Sequence, residues 1–321
     1  MSNTLLEIKN LKTYFYVKAG TVKAVDGVNL TLEPGIKLGL VGESGSGKTT
    51  MALAIMRMIR PPGTIEGTIS LEGTDLVTLS NENMRKTRLS KIAMIPQGAM
   101  NSLNPVARIG IQIEDGLVDH GMKMSKNEMR ETINRLLETV ELTPKVALMY
   151  PHELSGGMKQ RVTVAIAISM HPKILIADEP TSALDVVIQR QVMETITRLV
   201  KDMDLSMILI GHDMGLMAQS VDRLAVMYAG KLAEVGAVKD MFAEPLHPYT
   251  ILLIKSLPVL GKRGVFTGIP GIPPSVINPP PGCLFSARCP SVIADKCPVV
   301  FPPLVEIRPG RLVACHLYSG A

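Results

Sequence analysis

The distribution of apolar and polar positions along the first sixty residues predicts strands followed by a helix. Residues 5–41 are rich in strand-forming positions, and a turn at residues 33–35 leads into an apolar run at residues 36–41 that is typical of a buried strand. A glycine-rich loop comes next. Residues 49–60 then alternate apolar and polar positions at helical spacing, and Pro-Pro-Gly at residues 61–63 ends this helix. The predicted order is strand, loop, helix.

The middle of the chain first shows helical periodicity and then an alternation of helices and strands. Residues 101–153 carry apolar positions such as Met129, Ile133 and Leu137 at a spacing of four, which predicts a helical insert after a β-rich stretch ending near residue 97. The later segments are a helix at 160–170, a strand at 174–177, a helix at 186–203 and a strand at 206–210. Such alternation is typical of a parallel sheet with helices on its faces.

The predicted fold is therefore α/β, with an antiparallel β subdomain and a helical subdomain at about residues 101–157. The composition changes beyond about residue 230, and residues 268–282 contain six prolines and three glycines. We therefore predict a main domain at residues 1–230 and an irregular C-terminal appendage at residues 231–321.

Composition excludes some classes of function. The 321 residues are 46% hydrophobic and only 3% aromatic, and the formal charge of +5 is scattered, so no nucleic-acid-binding surface is expected. No stretch reaches the roughly 18 apolar residues that a membrane-spanning helix needs, and the first residues lack a signal-peptide pattern. We expect a soluble chain that is not exported.

The glycine-rich loop fits a phosphate-binding motif, in which Gly is followed by four residues and then Gly-Lys-Thr. Its position between a strand and a helix makes a simple glycine-rich turn the weaker interpretation. Backbone N–H groups of the loop and of the helix N-terminus would face the phosphates, Lys48 would reach the β- and γ-phosphates, and the Thr49 hydroxyl would ligate Mg²⁺. The residues expected to bind the phosphates are Gly42, Ser44, Gly45, Ser46, Gly47, Lys48, Thr49 and Thr50.

Two acidic residues follow the buried strand at residues 174–177. Ligands of parallel sheets bind at the carboxyl ends of the strands, which is where Asp178 and Glu179 lie. Asp178 would hold Mg²⁺ through water, and Glu179 would orient or deprotonate the attacking water. The alternative is that both carboxylates only cap a loop.

Residues 154–161, Leu-Ser-Gly-Gly-Met-Lys-Gln-Arg, resemble the signature of ATP-binding cassette (ABC) ATPases. Gln97 resembles the Q-loop, residues 182–185 the D-loop that includes Asp185, and His212 the switch histidine, all in the family's order. The resemblance implies a head-to-tail dimer in which Ser155, Gly156 and Gly157 cover the γ-phosphate held by the opposite subunit. Gln97 would contact Mg²⁺ and water and sense the membrane domain, and His212 would contact the γ-phosphate. Phe15 is the predicted platform for adenine, with Tyr14 and Tyr16 beside it.

Residues 42–49, 95–106, 244–250 and 278–290 are similar to those of the oligopeptide, dipeptide and nickel importer ATPases. This resemblance implies a heterodimer of two related ATPases on the cytoplasmic face of the inner membrane, beneath two membrane permease subunits fed by an external binding protein. Peptide import is the expected function. The alternatives are import of nickel or another small solute, a soluble ABC protein acting on nucleic acid or ribosomes, and a module that binds ATP without hydrolysing it.

All four cysteines of the chain lie in its C-terminal region, at positions 283, 289, 297 and 315. In a chain that is not exported this concentration suggests a metal before disulfides. The gaps are wider than in common zinc sites and unlike ferredoxin runs, so spacing leaves an iron–sulfur cluster, zinc and free or paired thiols open. Some members of the peptide-importer group carry this pattern around a cluster, and the resemblance therefore favours [4Fe–4S] on Cys283, Cys289, Cys297 and Cys315, with zinc as the alternative.

Overall fold

The computed structural model describes residues 4–98, 101–182, 184–256 and 268–318. The strands are β1 (Leu6–Val17), β2 (Gly20–Leu32), β3 (Lys37–Val41), β4 (Gly63–Leu71), β5 (Thr74–Asp75), β6 (Ile92–Ile95), β7 (Ile174–Asp178), β8 (Ser206–Ile210), β9 (Arg223–Tyr228), β10 (Lys231–Ala237), β11 (Val305–Arg308) and β12 (Arg311–Val313). The helices are α1 (Lys48–Ile55), α2 (Asn81–Thr87), α3 (Ile109–Asp119), α4 (Lys126–Thr139), α5 (Gly156–Ile168), α6 (Val186–Asp202), α7 (Met214–Ser220), α8 (Val238–Ala243) and α9 (Pro248–Lys255).

The chain divides into two compact units. The first consists of Met1–Thr78 together with Leu209–Ala321, and the second of Leu79–Ile208. The predicted division at residue 230 follows the change in composition instead and stays a prediction.

The N-terminal strands of the first unit form the predicted antiparallel subdomain, in the strand order β2-β1-β4-β5. In β1, Leu6 and Ile8 are buried, whereas Glu7 between them is partly solvent-accessible. This alternation is expected of an antiparallel sheet that has one face against a core, because successive side chains point to opposite faces.

The other strands of the first unit combine parallel and antiparallel pairs. β3 pairs in parallel with β9, while β10 runs antiparallel to β9, β12 to β10, and β11 to β12. The short strands β11 and β12 were not expected, because the region after residue 230 was predicted to be irregular. That prediction holds for residues 268–304, which contain only a short 3-10 turn at Ser286–Arg288 and an isolated bridge from Ile277 to Val22.

The predicted helix at residues 49–60 is shorter in the structure, where α1 ends at Ile55. Arg57 adopts a left-handed conformation with φ of 50°, and the N–H groups of Arg57 and Met58 donate to the carbonyls of Ala54 and Leu53. This pair of bonds is a Schellman motif, which usually places glycine in the left-handed position. Because arginine stands there, the sequence lacked the usual signal for the end of a helix.

The second unit contains the parallel pair β6 and β7, with β8 next to β7 in strand order. The predicted helical insert is present as α3, α4 and two 3-10 turns at Pro144–Leu148 and Pro151–Glu153. A capping box between Ser125 and Glu128 starts α4, whose buried face contains the predicted residues Met129, Ile133 and Leu137. Among the described residues, no helix has the length and apolar character needed to cross a membrane.

Candidate functional site

The predicted phosphate loop lies in the first unit, between β3 and α1. Two of its glycines are required by the backbone: Gly42 and Gly47 have φ values of 149° and 104°. A Cβ at Gly42 would lie 2.2 Å from the Met227 carbonyl oxygen, and one at Gly47 would lie 2.2 Å from that of Ala24. Neither backbone atom can move aside as a side chain would. Any other residue at either position would therefore distort the loop.

The Lys48 side chain folds back over this loop. It is only 6% exposed, and its Nζ donates to the carbonyl oxygens of Gly42 and Glu43, both at 2.8 Å, and to Ser46 Oγ at 3.3 Å. The ammonium group therefore lies inside the curve of the loop. This is the placement that a lysine needs in order to reach phosphates bound by the surrounding N–H groups.

The first turn of α1 carries the other predicted phosphate ligands. Gly47 occupies the N-cap position and has no side chain to bond the first N–H groups of the helix, which belong to Lys48, Thr49 and Thr50. Ser46 is buried, whereas Ser44 and Gly45 are exposed at the tip of the loop. A helix N-terminus without a side-chain cap is a favourable site for an anion.

In the second unit, the structure brings Gln97 and Glu179 together. β6 and β7 are parallel with Ile95 opposite Ala177, so the residues two positions further along each strand are neighbours as well. Gln97 Nε2 donates to Glu179 Oε2 at 3.1 Å. Glu179 has a φ of 44°, a left-handed conformation that is uncommon for a residue other than glycine and that clusters at functional sites.

Asp178, the last residue of β7, is fully buried, while the next residue leaves the strand. The structure therefore places the two carboxylates at the carboxyl end of a buried strand, as the sequence predicted. Asp178 has a strand conformation and Glu179 a left-handed one, and this difference suits the two different roles predicted for these carboxylates.

The signature segment forms the start of α5. Ser155 is the N-cap, and its Oγ accepts a hydrogen bond from the Met158 N–H at 3.3 Å. The helix starts at Gly156, four residues before the predicted start at residue 160, because this cap satisfies a first-turn donor despite the two glycines. Gly157 also has a packing role, since a Cβ there would lie 2.7 Å from Ile188 Cγ2 of α6.

Asp185 of the predicted D-loop caps α6. Its Oδ1 accepts hydrogen bonds from the N–H groups of Val187 at 3.1 Å and Ile188 at 3.0 Å. Ala183 of the same loop lies outside the described residues. Within the second unit, Asp185 therefore has a structural role in addition to the predicted one at the nucleotide.

The switch-histidine candidate belongs to the first unit. His212 follows β8 and is exposed, and the next residue, Asp213, caps α7 by accepting the Leu216 N–H at 3.0 Å. The cap holds the backbone directly after His212 in a defined conformation.

The three aromatic residues near the N-terminus have different surroundings. The Tyr14 hydroxyl donates to Asp26 at 2.5 Å, and Lys231 pairs with the same carboxylate at 2.8 Å. Burial pushes the pKa of Asp26 up, but the hydrogen bonds from Lys231 and Tyr14 outweigh it, so this pKa lies below its usual value. The ring of Phe15 lies against Gly63, whereas Tyr16 is 51% exposed. The choice of Phe15 as adenine platform stays a prediction.

The sequence analysis missed the contacts that hold Glu43, the second residue of the loop. Its N–H donates to Tyr249 Oη at 2.8 Å, and its carboxylate receives two hydrogen bonds from Arg288, at 2.7 Å and 2.9 Å. Tyr249 and Arg288 lie in residues 244–250 and 278–290, two of the segments that are similar to the peptide-importer ATPases. This similarity was the signal in the sequence that could have pointed to a role for these two residues.

The four cysteines are neighbours, but among the described residues no group of three or more His, Cys, Asp or Glu side chains is arranged to hold a metal ion. Burial raises the pKa of the Cys283 thiol to about 11, and smaller contributions come from Cys297, Cys315 and Cys289. The Cys283 N–H donates to the Cys297 carbonyl at 2.7 Å. The predicted metal-binding character of the appendage is therefore not shown by the structure.

Two family models match the chain. "ABC transporter" matches residues 25–182, and "Oligopeptide/dipeptide transporter, C-terminal region" matches residues 233–297. The second match includes three of the four cysteines and Arg288.

Curated relatives resemble almost the whole chain. The oligopeptide transport ATP-binding protein AppD of Bacillus subtilis (strain 168) is 46% identical over 322 residues, which cover 99% of this chain and 98% of that protein. The dipeptide transport ATP-binding protein DppD of the same organism is 44% identical, with 98% and 94% covered. The oligopeptide transport ATP-binding protein OppD of Salmonella typhimurium is 42% identical, also with 98% and 94% covered.

Among solved structures, the dimeric post-hydrolysis state of the ATP-binding cassette MJ0796 bound to ADP and Pi matches with a TM-score of 0.65 and 26% identity. The match covers 73% of this chain and 98% of that cassette. A phosphate loop, paired acidic residues after a buried strand, and a glycine-rich helix start are thus present in a chain whose relatives are transport ATP-binding proteins. The chain belongs to the ATPases of the ABC transporter family, within the group of oligopeptide and dipeptide transport ATP-binding proteins.

Proposed function

We propose that this chain hydrolyses ATP to power the uptake of dipeptides or oligopeptides through membrane permease subunits. The observation that carries the proposal is the pairing of Gln97 with Glu179 at the ends of adjacent parallel strands, in a chain that also holds a complete phosphate loop. The contact with Gln97 holds the Glu179 carboxylate in one orientation, which a catalytic base requires and ATP binding alone does not. The names of the relatives support peptides as the cargo.

At the nucleotide, the proposed roles follow from the chemistry of each group. Backbone N–H groups of the loop and of the first turn of α1 bind the phosphates, except those of Glu43 and Ser46, which donate to Tyr249 Oη and to the Glu43 carbonyl oxygen. Lys48 neutralises charge on the β- and γ-phosphates. Thr49 and Gln97 would supply protein oxygen ligands to the Mg²⁺ that accompanies ATP, and Asp178 would act through water; the ion would supply positive charge next to the transferred phosphoryl group. Oxygen donors of this kind suit Mg²⁺.

Glu179 orients the attacking water and accepts its proton, while the amide of Gln97 fixes the carboxylate. His212 contacts the γ-phosphate. These roles are expected to depend on one another, because the water, the base and the phosphate must be aligned for the reaction.

A second cassette completes the site. Ser155, Gly156 and Gly157 at the N-terminus of α5 would cover the γ-phosphate held by the opposite subunit, and Asp185 would lie at the same interface. The support is that α5 presents a glycine-rich helix N-terminus in a unit that lacks the phosphate loop, and that the matched cassette was solved as a dimer. We propose a related ATPase as the partner, giving a heterodimer on the cytoplasmic face of the membrane, fed by an external binding protein.

We also propose that Cys283, Cys289, Cys297 and Cys315 hold a [4Fe–4S] cluster, with zinc as the alternative. Four thiols in one unit suit either metal. Burial raises the pKa of Cys283, Cys289 and Cys315, and neighbouring cysteines lie close enough to add to each of these increases. A bound metal would fasten a proline-rich segment that has few apolar residues of its own. Anaerobic purification followed by a visible absorption spectrum and iron and zinc analysis distinguishes the two. Absence of both metals would refute the proposal.

The catalytic part of the proposal is tested by Glu179→Gln in the complex purified with its membrane subunits. The variant keeps the volume and a hydrogen-bonding side chain but removes the base, so ATP should still bind while phosphate release falls by roughly 10²-fold or more. Peptide uptake by cells carrying the variant should be lost. Phosphate release at the wild-type rate would contradict the role of Glu179, and uptake of peptides by cells lacking the whole chain would contradict the cargo.

A further inference from the structure

We propose that Arg288, from the cysteine-bearing C-terminal region, is a positioning residue that holds the phosphate loop in its nucleotide-binding conformation through Glu43. The inference rests on the proposed assignment of residues 42–49 as the nucleotide site. It adds a role that the loop motif does not contain, because Arg288 lies 245 positions away from Glu43 in the sequence.

The contact between the two side chains is a two-bond ion pair that is buried on the Arg288 side, while the Glu43 side chain is 26% exposed. Arg288 Nη1 and Nη2 donate to the two carboxylate oxygens of Glu43 at 2.7 Å and 2.9 Å, and the Arg288 side chain is only 4% exposed. Such paired bonds fix orientation as well as distance, which an exposed ion pair does not. A contact of this kind can hold a loop in place.

The guanidinium group is itself held firmly. Its remaining hydrogen bonds go to Tyr228 Oη at 3.0 Å and to the carbonyl oxygens of Pro270 at 2.7 Å and Ile269 at 3.2 Å. Each of its three nitrogens thus has an acceptor, so the group has one preferred position. Arg288 therefore provides a fixed point against which Glu43 is oriented.

A second contact holds the backbone of the same residue. Tyr249 is fully buried, and its hydroxyl accepts the Glu43 N–H at 2.8 Å. The Tyr249 ring packs against Tyr228 and Phe285, with ring centroids 4.6 Å and 5.4 Å away. Glu43 is thus fixed at its amide and at its carboxylate by residues beyond position 228.

The third polar group of Glu43 leads to the predicted phosphate ligand, because its carbonyl oxygen accepts a hydrogen bond from Lys48 Nζ at 2.8 Å. Arg288, Glu43 and Lys48 therefore form one connected set of contacts. Arg288 also neutralises a carboxylate that would otherwise repel the phosphates from within the loop. Loss of Arg288 should therefore make the loop less ordered and leave the Glu43 carboxylate free to repel the phosphates.

The test is the Kd for MgATP and the steady-state kinetics of the full chain in its purified complex. Ordering one loop residue has an entropic cost equivalent to roughly tenfold in affinity, so Arg288→Ala should raise Kd and KM about tenfold. The loop binds the ground state and the transition state alike, so kcat should change much less. Arg288→Lys keeps the charge without the two-bond geometry and should lie in between.

A second substitution distinguishes repulsion between the Glu43 carboxylate and the phosphates from a general loss of folding. Adding Glu43→Gln to Arg288→Ala removes the uncompensated carboxylate, so the double variant should bind MgATP more tightly than Arg288→Ala alone. If Arg288 only supported folding, adding Glu43→Gln would not restore the affinity for MgATP. Arg308→Ala is the matched control, because Arg308 also pairs with a carboxylate through two bonds, to the exposed Glu244. Its Kd should equal that of the wild type.

Equal Kd values for Arg288→Ala and the wild type would overturn the inference while leaving the proposed function intact. Failure of the wild type to bind MgATP would overturn the site assignment as well. If Arg288→Ala does not fold, Arg288→Lys and Glu43→Gln decide instead. A Kd raised in Arg288→Lys and also in Glu43→Gln, where one of the two acceptor oxygens is lost, supports the inference, and an unchanged Kd in either variant refutes it.

Discussion

Replacing Gly157 by alanine tests whether a glycine of the signature segment is needed for packing. The added Cβ would lie 2.7 Å from Ile188 Cγ2, whereas carbon atoms in contact prefer about 3.5–4.0 Å. Ile188 is β-branched and lies in a helix, so its χ1 cannot easily rotate to relieve the overlap. Helices α5 and α6 must therefore separate or distort.

Two opposing effects determine the size of the change. Overpacking of this kind typically costs about 1–3 kcal/mol, while alanine in place of glycine gains at most about 1 kcal/mol of helix propensity. We expect Gly157→Ala to lower the free energy of unfolding by about 1 kcal/mol. Gly116→Ala in α3 is the matched control, because its nearest neighbour, Leu89 Cδ2, lies at 3.4 Å. This variant should be as stable as the wild type or more so.

Chemical denaturation of Gly157→Ala, of Ile188→Ala and of the double variant Gly157→Ala/Ile188→Ala completes the test. Removing Cγ2 leaves room for the new Cβ, so the double variant should be more stable than the sum of the single effects by about 1 kcal/mol. ATP hydrolysis should stay low in the double variant, because residue 157 is also proposed to face the nucleotide of the partner. Strictly additive effects would refute the packing argument, and full recovery of hydrolysis would refute the proposed second role.

Two further predictions concern buried charges in the first unit. Burial lowers the pKa of His247 to about 4, so the folded state favours the neutral ring, and stability should fall by about 2 kcal/mol as the pH drops from 7.5 to 5. His247→Asn keeps an acceptor for the Tyr249 N–H and should flatten this dependence in denaturation curves; an unchanged slope would contradict the assignment. Arg311→Met removes the 2.6 Å ion-pair partner of the fully buried Glu234 and should cost about 3–5 kcal/mol of unfolding free energy, with partial recovery in Arg311→Met/Glu234→Met. A small loss in the single variant would show that the N–H groups of Leu246 and His247, which also donate to this carboxylate, are sufficient to stabilise Glu234.

The parts of the candidate site that the sequence alone could propose are those that depend on neighbouring residues. The phosphate loop combines glycines with left-handed backbones, a preceding strand and a following helix within one short segment. The acidic pair follows a strand whose apolar run is unmistakable. The contact of Gln97 with Glu179 was not predicted, because it follows from the parallel register only once β6 and β7 are known to be neighbours.

The parts that sequence analysis missed depend on contacts between distant positions or on residues in unusual conformations. Arg57 ends α1 in a conformation that usually requires glycine. The helix α5 was predicted to start at residue 160, whereas the Ser155 cap starts it at Gly156. The role of Arg288 could not be inferred because nothing local to Glu43 indicates where its carboxylate finds a partner.

The pairing of β10 with β12 has a consequence for how such chains diverge. Glu234 lies on β10 and Arg311 on β12, 77 positions later, and each is buried with its charge balanced by the other. A mutation of either one alone would leave an uncompensated charge in the interior, so during evolution the two positions are expected to change together or to stay as they are. A chimera of two relatives whose junction lies between these two positions should accordingly fold only when its two parents supply a matching pair.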